Sequence, residues 1–138
     1  MTDTAVAPPI PGLDELLLAM ADDEFVIGFS DSEWTGIAPL LEEDVAMSSL
    51  AQDELGHAAA LYDLLSGVIG GDRDAIAYDR DPDAFRHARL LDHGRGDWAM
   101  TIARRFLYET ADAASRSPSG SCRATPCTRS TTGPTSST

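Results

Sequence analysis

Two long stretches of helical periodicity, separated only by the few residues from Gly36 to Pro39, limit what this chain can fold into more than any other feature. From Leu13 to about Thr35 the chain reads as one helix, entered after Pro11-Gly12 and closed by Gly36. Pro39 then falls near the first helical position of a second helix, where a missing N–H costs nothing. Glu42, Glu43 and Asp44 fill its first turn, where acids complement the positive end of the helix dipole. This second helix runs to about Ser66 and closes at Gly67, with Gly70-Gly71 just beyond. Two long helices on so short a link must lie antiparallel, crossing at about 20°.

Residues 70–96 are charged and irregular and read as a long crossover, with a short helix expected around Ala84–Leu91. A third helix starts near Asp97 and carries Trp98, Ile102, Phe106 and Ala113 on one stripe. No segment alternates convincingly with period two, and no internal repeat is visible. The expected fold is therefore all-α, an up-down bundle with helices at about 13–36, 40–67 and 97–114 and a fourth helix missing. Residues 1–12 read as a disordered, Pro-rich lead-in without the basic start and apolar core of a signal peptide. From Ser115 to Thr138 the composition changes to Ser, Thr, Arg, Pro, Gly and Cys with no acid at all. Such a segment cannot offset an ordering entropy of roughly 1–2 kcal/mol per residue, so 115–138 is expected to be a disordered tail. The break falls inside an amphipathic helix with no capping signal, which favours out-of-frame translation or an equivalent truncation as its origin.

Charge narrows the function classes. A net charge of -13, with Arg as every basic residue, repels phosphate backbones and anionic lipid, so neither nucleic acid nor membrane is an expected partner. No apolar run approaches the roughly 20 residues of a membrane span. Cys122 and Cys127 both lie in the tail and make no disulfide framework, which suits a cytoplasmic protein. Asp79-Arg80-Asp81-Pro82-Asp83 resembles the start of a calcium loop but lacks its later Gly and Glu, with Ala84 and Leu90 in those places. His87 and His93 read as solvated crossover residues. Phosphate-binding Gly loops and nucleophile motifs are absent, and no catalytic residue is assigned.

The unusual chemistry lies in the helical stripes. At about 100° per residue, Met47, Leu50, Ala51, Ala58, Leu61 and Leu65 share one face of the second helix, with Glu54 at its centre and His57 at its edge. A carboxylate there is costly unless it is neutralised, hydrogen-bonded or bound to a metal. On the first helix Glu24 falls among Leu13, Leu17, Met20, Ala21 and Ile27; on the third, Glu109 shares the stripe of Trp98, Ile102 and Phe106, with Arg105 and Asp112 nearby. Glu24 lies 14 residues before Ala38 and Glu54 lies 16 after it. Glu24 and Glu54 therefore differ in height by about 3 Å at ~1.5 Å rise per residue, and the antiparallel hairpin brings them and His57 to one level. Hard carboxylates with one imidazole suit iron or manganese. Ferritin-like di-iron bundles take one Glu from each of two helices and a Glu-x-x-His from each of the other two. Glu24, Glu54-x-x-His57 and Glu109 would be three of those contributions in chain order. The ordinary alternatives are a solvated Asp22-Asp23-Glu24 run, a surface Glu-x-x-His, and a Glu109–Arg105 pair across one turn. Helix one also carries Leu18, Phe25 and Phe29 on a second apolar side, a face left over for a partner.

Between Gly28 and Ala58 stand Ser32-Glu33-Trp34-Thr35-Gly36, Ala38-Pro39, Leu41-Glu42-Glu43-Asp44, Ala46 and Asp53-Glu54-Leu55-Gly56-His57-Ala58. Further on come Asp97-Trp98-Ala99, Thr101-Ile102-Ala103-Arg104 and Phe106-Leu107. Over roughly residues 13–113 this pattern resembles the C subunits of the bacterial ring-1,2-phenylacetyl-CoA epoxygenase complex. The resemblance implies a ferritin-like fold and a role in aerobic phenylacetate degradation, in a complex whose related A subunit holds the di-iron centre and whose reductase supplies electrons from NADPH. It implies a structural subunit that oligomerises with the catalytic oxygenase subunit and binds no cofactor stably itself. Glu24, Glu54 and His57 stand where the catalytic paralogue's ligands would align, so a half-site for iron looks retained, with Glu109 as its third-helix contribution. The alternatives are a carboxylate-bridged di-iron protein activating oxygen itself, or a truncated, non-functional fragment of either.

Overall fold

The structure, a computed structural model, describes residues 10–116. Most of the expected lead-in and tail thus lies outside the described residues. Helix α1 spans Leu13–Ser32, α2 Leu41–Ile69, α3 Arg73–Tyr78 and α4 Trp98–Arg116, and every regular element among the described residues is helical. The all-α expectation holds. No helix is long and apolar enough to cross a membrane.

The hairpin of α1 and α2 forms where the sequence places it, with shifted edges. Helix α1 stops at Ser32 because Trp34 N–H donates to Asp31 O and Thr35 N–H to Ser32 O, three-residue turns that tighten and end the helix. Gly36 then turns the chain at φ 83, a left-handed conformation that costs a side-chain-bearing residue more. Its N–H donates to both carboxylate oxygens of Asp44 at 3.0 Å, and Thr35 Oγ1 meets Ser48 Oγ at 2.9 Å, so the first turn of α2 holds the turn that precedes it. Pro39 consequently lies outside α2, which begins after an extended Leu40. Helix α2 continues through Gly67 and stops at Gly70, whose φ of 76 breaks the helix where Gly67 only weakens it.

The crossover departs further from expectation. Helix α3, capped by Asp72 Oδ2 accepting from Ala75 N–H at 3.0 Å, was not anticipated. The region around Ala84–Leu91 holds 3-10 turns at Pro82–Ala84 and Arg89–Asp92 rather than an α-helix. Buried side chains of α1 hold this segment down. Asp22 Oδ2 accepts from Arg86 N–H at 2.7 Å and Arg80 Nη1 at 3.0 Å, and Asp22 Oδ1 accepts from Tyr62 Oη at 2.6 Å. Arg80 also lies 4.2 Å from the ring centroid of Phe85. Ala21, Ala58, Tyr62, Leu65 and Ala77 form the apolar core beneath it.

Helix α4 is turned the other way from the sequence reading. Its buried residues are Thr101, Arg104, Arg105 and Tyr108, whereas Ile102 is 43% and Phe106 68% exposed. Polar partners account for the inversion. Arg104 Nη2 donates to Ser30 Oγ at 2.6 Å and its Nη1 to His93 O at 2.8 Å, Trp34 Nε1 donates to Thr101 Oγ1 at 3.0 Å, and Arg105 reaches the acids of α1 and α2. Buried arginines need such partners more than an apolar stripe needs burial.

Candidate metal centre

Helices α1 and α2 approach closely at Gly28. A Cβ built there would stand 2.9 Å from Leu55 Cγ, 3.1 Å from the Ala51 carbonyl oxygen and 3.2 Å from Glu54 Cβ. Only a residue without a side chain admits this approach, and it lets the acids of the two helices meet. Glu24 and Glu54 are both buried, 1% and 7% exposed, and with His57 they offer ligand atoms within 4.8 Å of one another. The hairpin thus brings together the residues that the height argument matched.

Within the group, His57 Nδ1 lies 3.3 Å from Glu54 Oε2 and 3.8 Å from Glu24 Oε2, with the imidazole on the solvent side, 59% exposed. Burial pushes the Glu54 carboxyl up, but hydrogen bonds with Glu24 and Arg105 outweigh it and hold Glu54 below its usual range. Two buried carboxylates this close favour a cation near them, and a divalent ion supplies one. Beside Glu24 a cavity of about 320 Å³ opens among Met20, Asp23, Ala88, Leu90 and Tyr108.

Glu109 lies apart from this group. Its side chain is half exposed and pairs with Arg105 Nη2 at 2.7 Å, four residues away on α4. Arg105 occupies the position that the sequence reading gave to Glu109. Its guanidinium is buried, donates to Glu54 Oε1 at 2.6 Å and forms an ion pair with Asp31. Burial also raises the Asp31 carboxyl, against the pull of Arg105. Asp31 and Asp22 are the acids that sequence reasoning missed. Asp31 stands seven residues beyond Glu24 on the same stripe, and Asp22 lies among Leu18, Phe25 and Phe29 on the second apolar side of α1. Both signals were available in the periodicity. His87, expected in solvent, is partly buried and meets Asp92 Oδ1 at 2.6 Å.

Two carboxylates and an imidazole within 4.8 Å form a hard, mixed donor set that fits one divalent ion. A second ion would need ligands already engaged by Arg105. Against this geometry, the family model for phenylacetic acid catabolic proteins matches residues 2–130. The chain belongs to that family. The C subunit of 1,2-phenylacetyl-CoA epoxidase from Escherichia coli (strain K12) is 33% identical over 93 residues, 67% of this chain and 38% of that protein. The aligned stretch thus spans well under half of the relative. Membership makes the bundle a ferritin-like one.

Proposed function

We infer that this chain acts as a non-catalytic partner subunit of a phenylacetyl-CoA epoxidase, docking on the oxygenase subunit that performs the reaction. The observation that carries this reading is the inverted α4. Met100, Ile102, Phe106 and Leu107 form an outward apolar face on a helix whose arginines point inward. Such a face is costly in water and is what a partner helix covers. The buried acids support the same reading, because one imidazole and a guanidinium suit a structural site for a single ion better than an oxygen-activating pair.

Glu24, Glu54 and His57 would hold that ion. Bound there, a divalent cation would supply fixed positive charge between the two buried acids. The chain's own residues set the geometry: α1 and α2 fix the carboxylates across Gly28, and His57 closes the site on the solvent side. The test is co-purification with the oxygenase subunit. The native chain should co-elute with it on size exclusion, and Phe106→Glu should lower the association at least tenfold with helicity unchanged. Two irons per isolated chain, together with oxygen consumption on phenylacetyl-CoA, would establish the di-iron alternative instead.

A further inference from the structure

The geometry points to Arg105 as a tethered cation that keeps a second divalent-ion position closed, formed by Asp31, Glu54 and Glu109. This rests on the one-ion reading of Glu24, Glu54 and His57 and extends it to the neighbouring acids. The three carboxylates come from α1, α2 and α4 and converge on one guanidinium. Arg105 pairs with Asp31, donates to Glu54 Oε1 at 2.6 Å and lies 2.7 Å from Glu109 Oε1. Glu54 joins the two positions, with Oε1 toward Arg105 and Oε2 toward His57. It is arranged as a bridging carboxylate, with a guanidinium on one side in place of a metal.

A second observation is independent of these pairs. Asp31, 1% exposed, keeps Oδ1 buried without a hydrogen-bond partner among the described residues. A buried carboxylate oxygen ordinarily has a partner. One planar guanidinium cannot saturate three carboxylates, whereas an oxygen-seeking divalent ion takes six or more ligands, waters included. Arg105 therefore neutralises the acids while denying their oxygens to metal.

Ions per chain, counted by equilibrium dialysis of the full chain against Mn²⁺ followed by elemental analysis, test this. The native chain should hold one ion and Arg105→Ala two, and adding Asp31→Asn to Arg105→Ala should return the count to one. One ion in both the native chain and Arg105→Ala overturns the inference and leaves the one-ion reading intact. No ion in the native chain refutes that reading; a single ion then gained by Arg105→Ala, and lost again with Asp31→Asn, upholds the inference alone. If Arg105→Ala is unfolded without metal, restoration of its helicity by Mn²⁺ at two ions per chain supports it. If neither Arg105→Ala nor Arg105→Gln regains helicity in excess Mn²⁺, the acids do not form an ion site and the inference is wrong.

Discussion

Glu54 serves two neighbours through different oxygens, and that decides what its loss does. A lone acid in an apolar stripe would be replaced by leucine at no cost, and that is the expectation from sequence when no metal binds. With Arg105 buried and donating to Glu54 Oε1, Glu54→Leu removes one partner of a buried charge. Arg105 keeps Asp31 and Glu109, so we expect a loss of about 1–3 kcal/mol in metal-free protein, read from urea denaturation. A neutral or stabilising result would mean that the buried pair contributes nothing in solution. At this scale the sequence was partly legible. Periodicity and hairpin height suffice to join Glu24, Glu54 and His57, because helices are regular and the link is short. Arg105 was not foreseen as an inward residue, because an arginine on a mixed helix is ordinarily assigned to solvent.

Among the elements, α1 and α2 pack along their lengths with one vulnerable contact, at Gly28. Gly28→Ala places a methyl against the Ala51 carbonyl oxygen, which is backbone and cannot yield as a side chain end can. We expect destabilisation of about 1–3 kcal/mol. Mn²⁺ affinity should also weaken severalfold, because the strain is relieved by moving α2, which carries Glu54 and His57. Unchanged affinity by titration calorimetry would show that the site does not depend on this approach. Helix α4 shows the opposite behaviour. Its period is correct in sequence, but its inward face is set by partners distant in the chain, Ser30, Asp31 and the crossover carbonyls. An amphipathic pattern alone reads that face backwards, because it assumes that apolar residues are inside.

For the whole molecule, fold class and hairpin follow from local spacing, whereas the crossover does not. Helix α3 has six residues, too few to be stable alone, and is held by its Asp72 cap and by packing on α2. The contact between Asp22 and Arg80 joins residues 58 apart, and that between Arg105 and Asp31 joins residues 74 apart.

That wide separation divides the molecule in time. Loops of this length close only after the hairpin has formed a surface to close upon, so α1 and α2 should assemble early and the arginine clasps late. Ala58→Gly, in the hairpin, should mainly slow refolding. Arg80→Met, on the crossover side of the clasp, should leave refolding nearly unchanged and speed unfolding severalfold, as stopped-flow fluorescence of Trp34 and Trp98 can measure. The reverse pattern would place the crossover in the folding nucleus. The lifetime of the folded chain is thus set at its arginines, after its helices have already formed.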